Sequence, residues 1–148
     1  MNTHNIRLVQ ESFAKVAPIA ETAAELFYHR LFELDGNLRH LFHSDIEQQG
    51  QRLMHMVGPA VHHLNDLDTL APVVRKLGAR HKIYGVEPSH YHSVGEALLW
   101  TLEQGLGDDF TPEVADAWAA TYGLLAGVMQ EAADAADHHA PELQLSPA

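Results

Sequence analysis

Apolar residues recur at spacings of three and four along almost the whole chain, and no stretch shows the strict alternation of a half-buried strand. A chain patterned in this way is confined to an all-α fold, because a 3.6-residue period lines up apolar side chains only on a helix. Val9, Phe13 and Val16 mark a first helix from about Asn5, and Pro18, tolerated in a first turn, opens a second that carries Ala23, Leu26, Phe27, Leu31 and Phe32. Asp35-Gly36 ends it, and a short segment from Leu38 to Phe42 follows. Ser44, with Glu47 three residues on, reads as a capping box for a helix to about Leu64. After the polar break Asn65-Asp66-Leu67-Asp68, residues Leu70, Val73, Val74 and Leu77 form the inner stripe of a helix ending near Gly85. Glu87-Pro88-Ser89 restarts the chain for a helix that buries Tyr91, Val94, Leu98 and Leu102 and stops at Gly105-Leu106-Gly107. Thr111-Pro112-Glu113 supplies cap, first-turn proline and first-turn acid for the last helix, to about Ala136. These elements make one domain over residues 1–136, with 137–148 a polar, flexible tail.

Composition narrows the function. With 148 residues the chain buries roughly 70% of its unfolded surface, enough for a core that encloses a ligand. The absence of cysteine excludes disulfides, thiolate metal sites, iron–sulfur clusters and cysteine nucleophiles. A formal charge of −11, from 9 Lys+Arg against 20 Asp+Glu, argues against a nucleic-acid partner, which demands a clustered basic surface. No apolar run is long enough to span a membrane and the N-terminus starts polar, so the expectation is a soluble, cytoplasmic protein. One count is odd: the 12 histidines outnumber the 9 Lys+Arg.

One histidine continues an apolar stripe. Leu70, Val73/Val74, Leu77 and His81 advance by three or four residues each, which turns the His81 ring toward the core. There the charged form is disfavoured and the neutral imidazole needs a partner. A core histidine bonded to a backbone carbonyl and a metal or haem ligand are both open at this point. Gln49 lies on the inner stripe formed with Leu53, Val57, Ala60/Val61 and Leu64, about 40° from Leu53, whereas Gln48 is about 140° away and faces water. Tyr28, beside Phe27, is the third polar residue of an inner face. His55 and His62 share a face away from the Leu53/Val57 stripe and read as solvated. Phosphate-binding loops, dinucleotide-binding glycine patterns and nucleophile elbows are absent.

The run Leu77-Gly78-Ala79-Arg80-His81-Lys82-Ile83-Tyr84-Gly85-Val86-Glu87-Pro88-Ser89-His90-Tyr91, with Val94-Gly95 and Leu98-Leu99 after it, resembles the proximal and following helices of bacterial single-domain globins and flavohaemoglobin globin domains. Neuroglobin is a more distant likeness. The resemblance extends over about residues 5–135, through the Phe42 loop, Phe110-Thr111-Pro112-Glu113, Trp118 and Tyr122-Gly123. It implies a globin fold, a sandwich of helices around haem b (iron protoporphyrin IX). By position it makes His81 the iron ligand, Phe42 the ring stacked on the haem, Tyr28 and Gln49 the distal hydrogen-bonding pair, and Leu53 the apolar wall beside the bound gas. It sets Val86 against the porphyrin and Tyr91 beside the proximal histidine, and Arg52, Lys82 or Tyr84 within reach of a propionate.

Two departures carry information. Gln49 stands where myoglobin-like globins have a distal histidine, which leaves the sixth iron position free or weakly held. Flavohaemoglobin-like globins also set a glutamate beside the proximal histidine and tyrosine, and that position falls on Ala133, with Glu131 on a different helix face. A weaker electron push toward the iron follows. The function implied is tight, reversible dioxygen binding that supports oxidation of nitric oxide to nitrate. A separate reductase would supply electrons, since the globin takes up the whole of this chain; the alternative is an oxygen-storage or gas-sensing globin without turnover.

Overall fold

The computed structural model describes residues 2–41, 45–83 and 86–137. Their regular structure is helical: α1 (Thr3–Val16), α2 (Ala20–Leu34), α3 (Ile46–His62), α4 (Leu67–Ile83), α5 (Pro88–Leu106) and α6 (Pro112–Asp137), with 3₁₀ turns at Ala17–Ile19, Gly36–Leu41 and Gly107–Asp109. Side chains close the helix starts. The Asn2 carboxamide oxygen accepts from the Asn5 amide at 2.7 Å, and the Thr111 hydroxyl accepts from the Val114 amide at 3.2 Å.

The start of α3 differs from the sequence expectation by one residue. Asp45 is the cap, its carboxylate accepting from the Gln48 amide at 2.8 Å. Its backbone is extended there, and a carboxylate adds the favourable field of a negative charge at a helix N-terminus, which serine lacks. Ser44 lies outside the described residues. A second correction concerns α4, where Val73 is 62% exposed and Val74 only 6%. The inner stripe therefore runs through Leu70 and Val74 to Gly78, and Val73 faces outward.

Two clusters make up the core. The larger joins α1, the C-terminal half of α3, the start of α4, the C-terminal half of α5 and α6 around Val9, Leu64, Leu102, Ala117 and Trp118. The smaller joins α2, the first half of α3 and α5 around Phe27, Tyr28, Leu31 and Ala97, with Leu53 and Val94 against it. Leu98 packs on both. Consecutive helices α3 and α4 have different partners: α3 lies on α2 and α1, and α4 lies on α6. Two glycines set these approaches. A Cβ at Gly78 would stand 2.2 Å from the Met129 carbonyl oxygen, and one at Gly50 would stand 2.8 Å from the Ala24 Cβ. The Trp118 indole N–H donates to the buried Ser12 hydroxyl at 2.8 Å, fastening α6 to α1. No described helix is long and apolar enough to cross a membrane.

Candidate functional site

Helix α5 is the common wall of the site. Tyr91, near its start, lies beside His81 of α4, with ring centroids 6.5 Å apart and planes inclined at 55°. Val94 and Leu98, up to seven residues or about 10 Å further along, belong to the cluster that holds Tyr28 and Leu53. One face of one helix thus connects the histidine to the second set of polar residues.

On the first side, burial pulls His81 down to about 4. Its imidazole is therefore neutral at physiological pH, with one ring nitrogen free to donate a lone pair. Val86 is half-buried and its amide donates to the His81 carbonyl at 2.9 Å, which fixes it just past the end of α4. The Tyr91 hydroxyl is buried and has no hydrogen-bond partner among the described residues. Its own carbonyl accepts from the Tyr122 hydroxyl at 2.6 Å, a tie between α5 and α6. Leu70 and Val74 face Leu124, Leu125 and Val128 across an apolar cleft, and Gly78 meets Met129, so α4 and α6 advance in the same sense. One further turn brings the level of His81 to about Ala133, which is itself buried.

On the second side, Tyr28 is 5% exposed and sits edge-on to Phe27, centroids 5.1 Å apart. Its hydroxyl donates to the Gln49 carbonyl at 3.4 Å, long for an O–H···O bond. Burial pushes the phenol up to about 12, against the opposing charge of Arg52, so it remains a hydrogen-bond donor across the physiological range. Gly50 makes the approach possible, since without a side chain it lets the first turn of α3 descend onto Ala24 of α2 and carries Gln49 to Tyr28. Leu53 packs one turn further on, against the same cluster.

Tyr28, Gln49, Arg52 and Leu53 come together, as do His81, Tyr91 and Val86, while Phe42 and Tyr84 lie outside the described residues, as does the side chain of Lys82. His55 and His62 are exposed, and no group of three or more potential metal ligands occurs among the described residues. Sequence reasoning did not find the role of Gly50 or the use of the Gln49 carbonyl in place of its amide. A lone glycine one residue past a polar inner-face position was the available signal. A neutral inward imidazole and a buried phenol without a partner among the described residues on one side, with a buried donor hydroxyl and an apolar wall on the other, fit a large apolar metal-bearing cofactor, which His81 would hold through its ring nitrogen.

Known proteins resemble this chain in sequence and fold. The family model described as Globin matches residues 25–129. A flavohemoprotein of Xylella fastidiosa (strain Temecula1 / ATCC 700964) is 30% identical over 131 residues, covering 86% of this chain and 33% of the relative. One from Bordetella parapertussis is 37% identical over 112 residues, covering 74% of this chain and 28% of the relative. The chain thus spans about a third of the length of the flavohemoproteins it matches. A hexacoordinated heme protein from an anhydrobiotic tardigrade, solved at pH 4, superposes with a TM-score of 0.81 over 90% of this chain and 96% of that one. At 16% identity it bears on the fold alone.

Proposed function

The chain belongs to the globin family, a haem-binding family, and from that premise we propose that it holds haem b through His81 and binds dioxygen tightly and reversibly under Tyr28 and Gln49, using it to convert nitric oxide to nitrate. Haem supplies the iron at which a diatomic gas binds and through which electrons pass. Everything else is the work of the chain. His81 presents a neutral ring nitrogen, the Tyr91 ring lies beside it, and the Val86 amide holds the backbone of His81 through its carbonyl. Phe42 stacks on the porphyrin in this reading, and Leu53 walls the gas pocket. Arg52 stands at the pocket edge, where it can also meet a haem carboxylate.

The observation that carries the reading is the Tyr28 hydroxyl, which is buried, held in its protonated form by that burial, and donates to the Gln49 carbonyl through a long bond. Such a donor can turn to a partner that accumulates negative charge, as dioxygen does when electrons move onto it, while a neutral gas such as carbon monoxide gains less. The amide of Gln49 is the second donor. In this reading electrons come from a separate reductase. Buried Ala133, and a Tyr91 hydroxyl without a hydrogen-bond partner among the described residues, favour a second reading, oxygen storage or sensing without turnover, because a carboxylate at that position would increase the basicity of the imidazole and alanine does not.

Single-turnover mixing separates the two. The oxygen-loaded protein, mixed with one equivalent of nitric oxide, should give one nitrate per haem within the mixing time, and NADH alone should sustain no further turnover. Slow or absent nitrate formation would leave storage or sensing as the function.

A further inference from the structure

Two consecutive amides fasten the corner between α4 and α5. The Val86 N–H donates to the His81 carbonyl and the Glu87 N–H donates to Nδ1 of the His90 ring, both at 2.9 Å. The second bond is half of a capping box, since Glu87 precedes α5 with extended backbone and His90 stands three residues on. Glutamate or glutamine is the usual residue at that position, because its side-chain oxygen accepts the bond. An imidazole accepts it only while the ring is neutral and Nδ1 is bare. The next residue is Tyr91, whose ring lies beside His81. Its hydroxyl has no partner among the described residues, so no hydrogen bond steadies the far end of the side chain. The backbone sets its place instead. The Tyr122 hydroxyl grips the Tyr91 carbonyl at 2.6 Å, and the His90 cap fixes the start of the helix.

We propose that His90 is a positioning residue that sets the Tyr91 ring against His81 while its own imidazole is neutral, and releases it when that imidazole takes up a proton. A protonated ring carries N–H at both nitrogens, so Nδ1 meets the Glu87 amide donor to donor. The cation also stands at the N-terminus of α5, where the helix dipole opposes positive charge. The Glu87 carboxylate attracts that cation, and satisfying it takes the ring away from the amide. Among the described residues no hydrogen bond or ion pair joins the His90 ring to α4 or α6, and the titratable pair beside the corner, His81 and Tyr91, is held neutral by burial. His92, further along α5, pairs with Glu96 at 2.9 Å. Helix α5 therefore loses its first-turn bond in mild acid, and Tyr91 moves with the turn.

The test follows two signals from about pH 8 to 5, the range in which histidine changes charge, for the haem-loaded native chain, His90→Gln and His90→Ala. One is the Glu87 amide proton resonance in the diamagnetic carbon monoxide complex. The other, which rests on the haem-binding reading above, is the iron–histidine stretching band of the ferrous, gas-free protein. In the native chain the Glu87 resonance should move upfield as its bond is lost, and the iron–histidine band should shift with the same midpoint. Glutamine keeps an acceptor in place at every pH, so His90→Gln should hold both signals at their native starting values. His90→Ala should show the acid values from the start. A Glu87 resonance that titrates alike in the native chain and His90→Gln overturns the proposal. So does an iron–histidine band that ignores the loss of the cap, which would leave His90 a helix cap and nothing more. A chain that takes up no haem overturns the functional reading; the Tyr91 ring resonances then decide this proposal, which requires them to follow the Glu87 amide in the native chain and stay fixed in His90→Gln.

Discussion

Tyr28 and His81 are ionisable groups that burial holds in their neutral forms, and each thereby gains the chemistry the pocket needs: a donor hydroxyl from one, a lone pair from the other. Replacing Tyr28 with Phe removes the hydroxyl and keeps the ring. Losing one buried hydrogen bond to a partly charged acceptor is worth about 1–3 kcal/mol, so dioxygen should leave roughly 10- to 100-fold faster in stopped-flow displacement. An unchanged rate would contradict the role given to this side chain. The same burial has a consequence at alkaline pH. The native state keeps the Tyr28 proton up to about 12, whereas the unfolded chain releases it near 10. The stabilisation is therefore complete below pH 10 and is lost as pH rises toward 12, about 3 kcal/mol in all. Urea titrations between pH 9 and 12 should show a flatter decline for Tyr28→Phe than for the native chain. At this scale His81 and Gln49 were legible, because each continues an apolar stripe whose phase the sequence states. The engagement of Tyr28 by a carbonyl, and the field of Arg52, were not, because both depend on how closely α3 descends onto α2.

Among the helices, α4 and α6 make the closest backbone approach that a glycine enforces. Gly78→Ala would drive a Cβ into the Met129 backbone, which cannot move aside as a side chain tip can. Such a change should cost about 2–4 kcal/mol of stability by chemical denaturation and disturb the seating of His81 three residues later. Gly58→Ala, inside α3 with nothing within 4 Å of the new methyl, should be neutral or stabilising by about 0.5–1 kcal/mol. If Gly78→Ala proves as harmless as Gly58→Ala, the α4–α6 packing is not as described. Element boundaries show where local patterns stop being decisive. Ser44 with Glu47 and Asp45 with Gln48 are two capping pairs in adjacent registers, and the backbone entering α3 selects the second. Thr111 had no such competitor, and it caps α6 as its spacing implies. Val73 and Val74 pose the same problem, since both are apolar and 100° of helix rotation, settled by the neighbouring α6, buries only one.

The whole molecule is a helical sandwich whose core falls into two clusters joined at Leu98, with α5 as the wall between the histidine and the distal pair. That division was not visible in the sequence, where every apolar stripe contributes to the core alike. Charge acts at this scale as well. An electron donor that docks on a surface carrying −11 should present a basic patch, and reduction by it should slow as salt rises from about 0.01 to 0.15 M, over which the screening length shortens about fourfold. A rate indifferent to salt would place the contact elsewhere than on the acidic surface. Beneath all of these lies the claim that His81 is the axial ligand of a haem facing Tyr28 and Gln49. Haem titrated into the native chain and into His81→Gly, followed by visible absorption with and without added imidazole, tests it directly. The account predicts one haem per native chain with a sharp Soret band, a weakened and shifted band in His81→Gly, and restoration of the native spectrum by imidazole; a His81→Gly spectrum identical to the native one would contradict it.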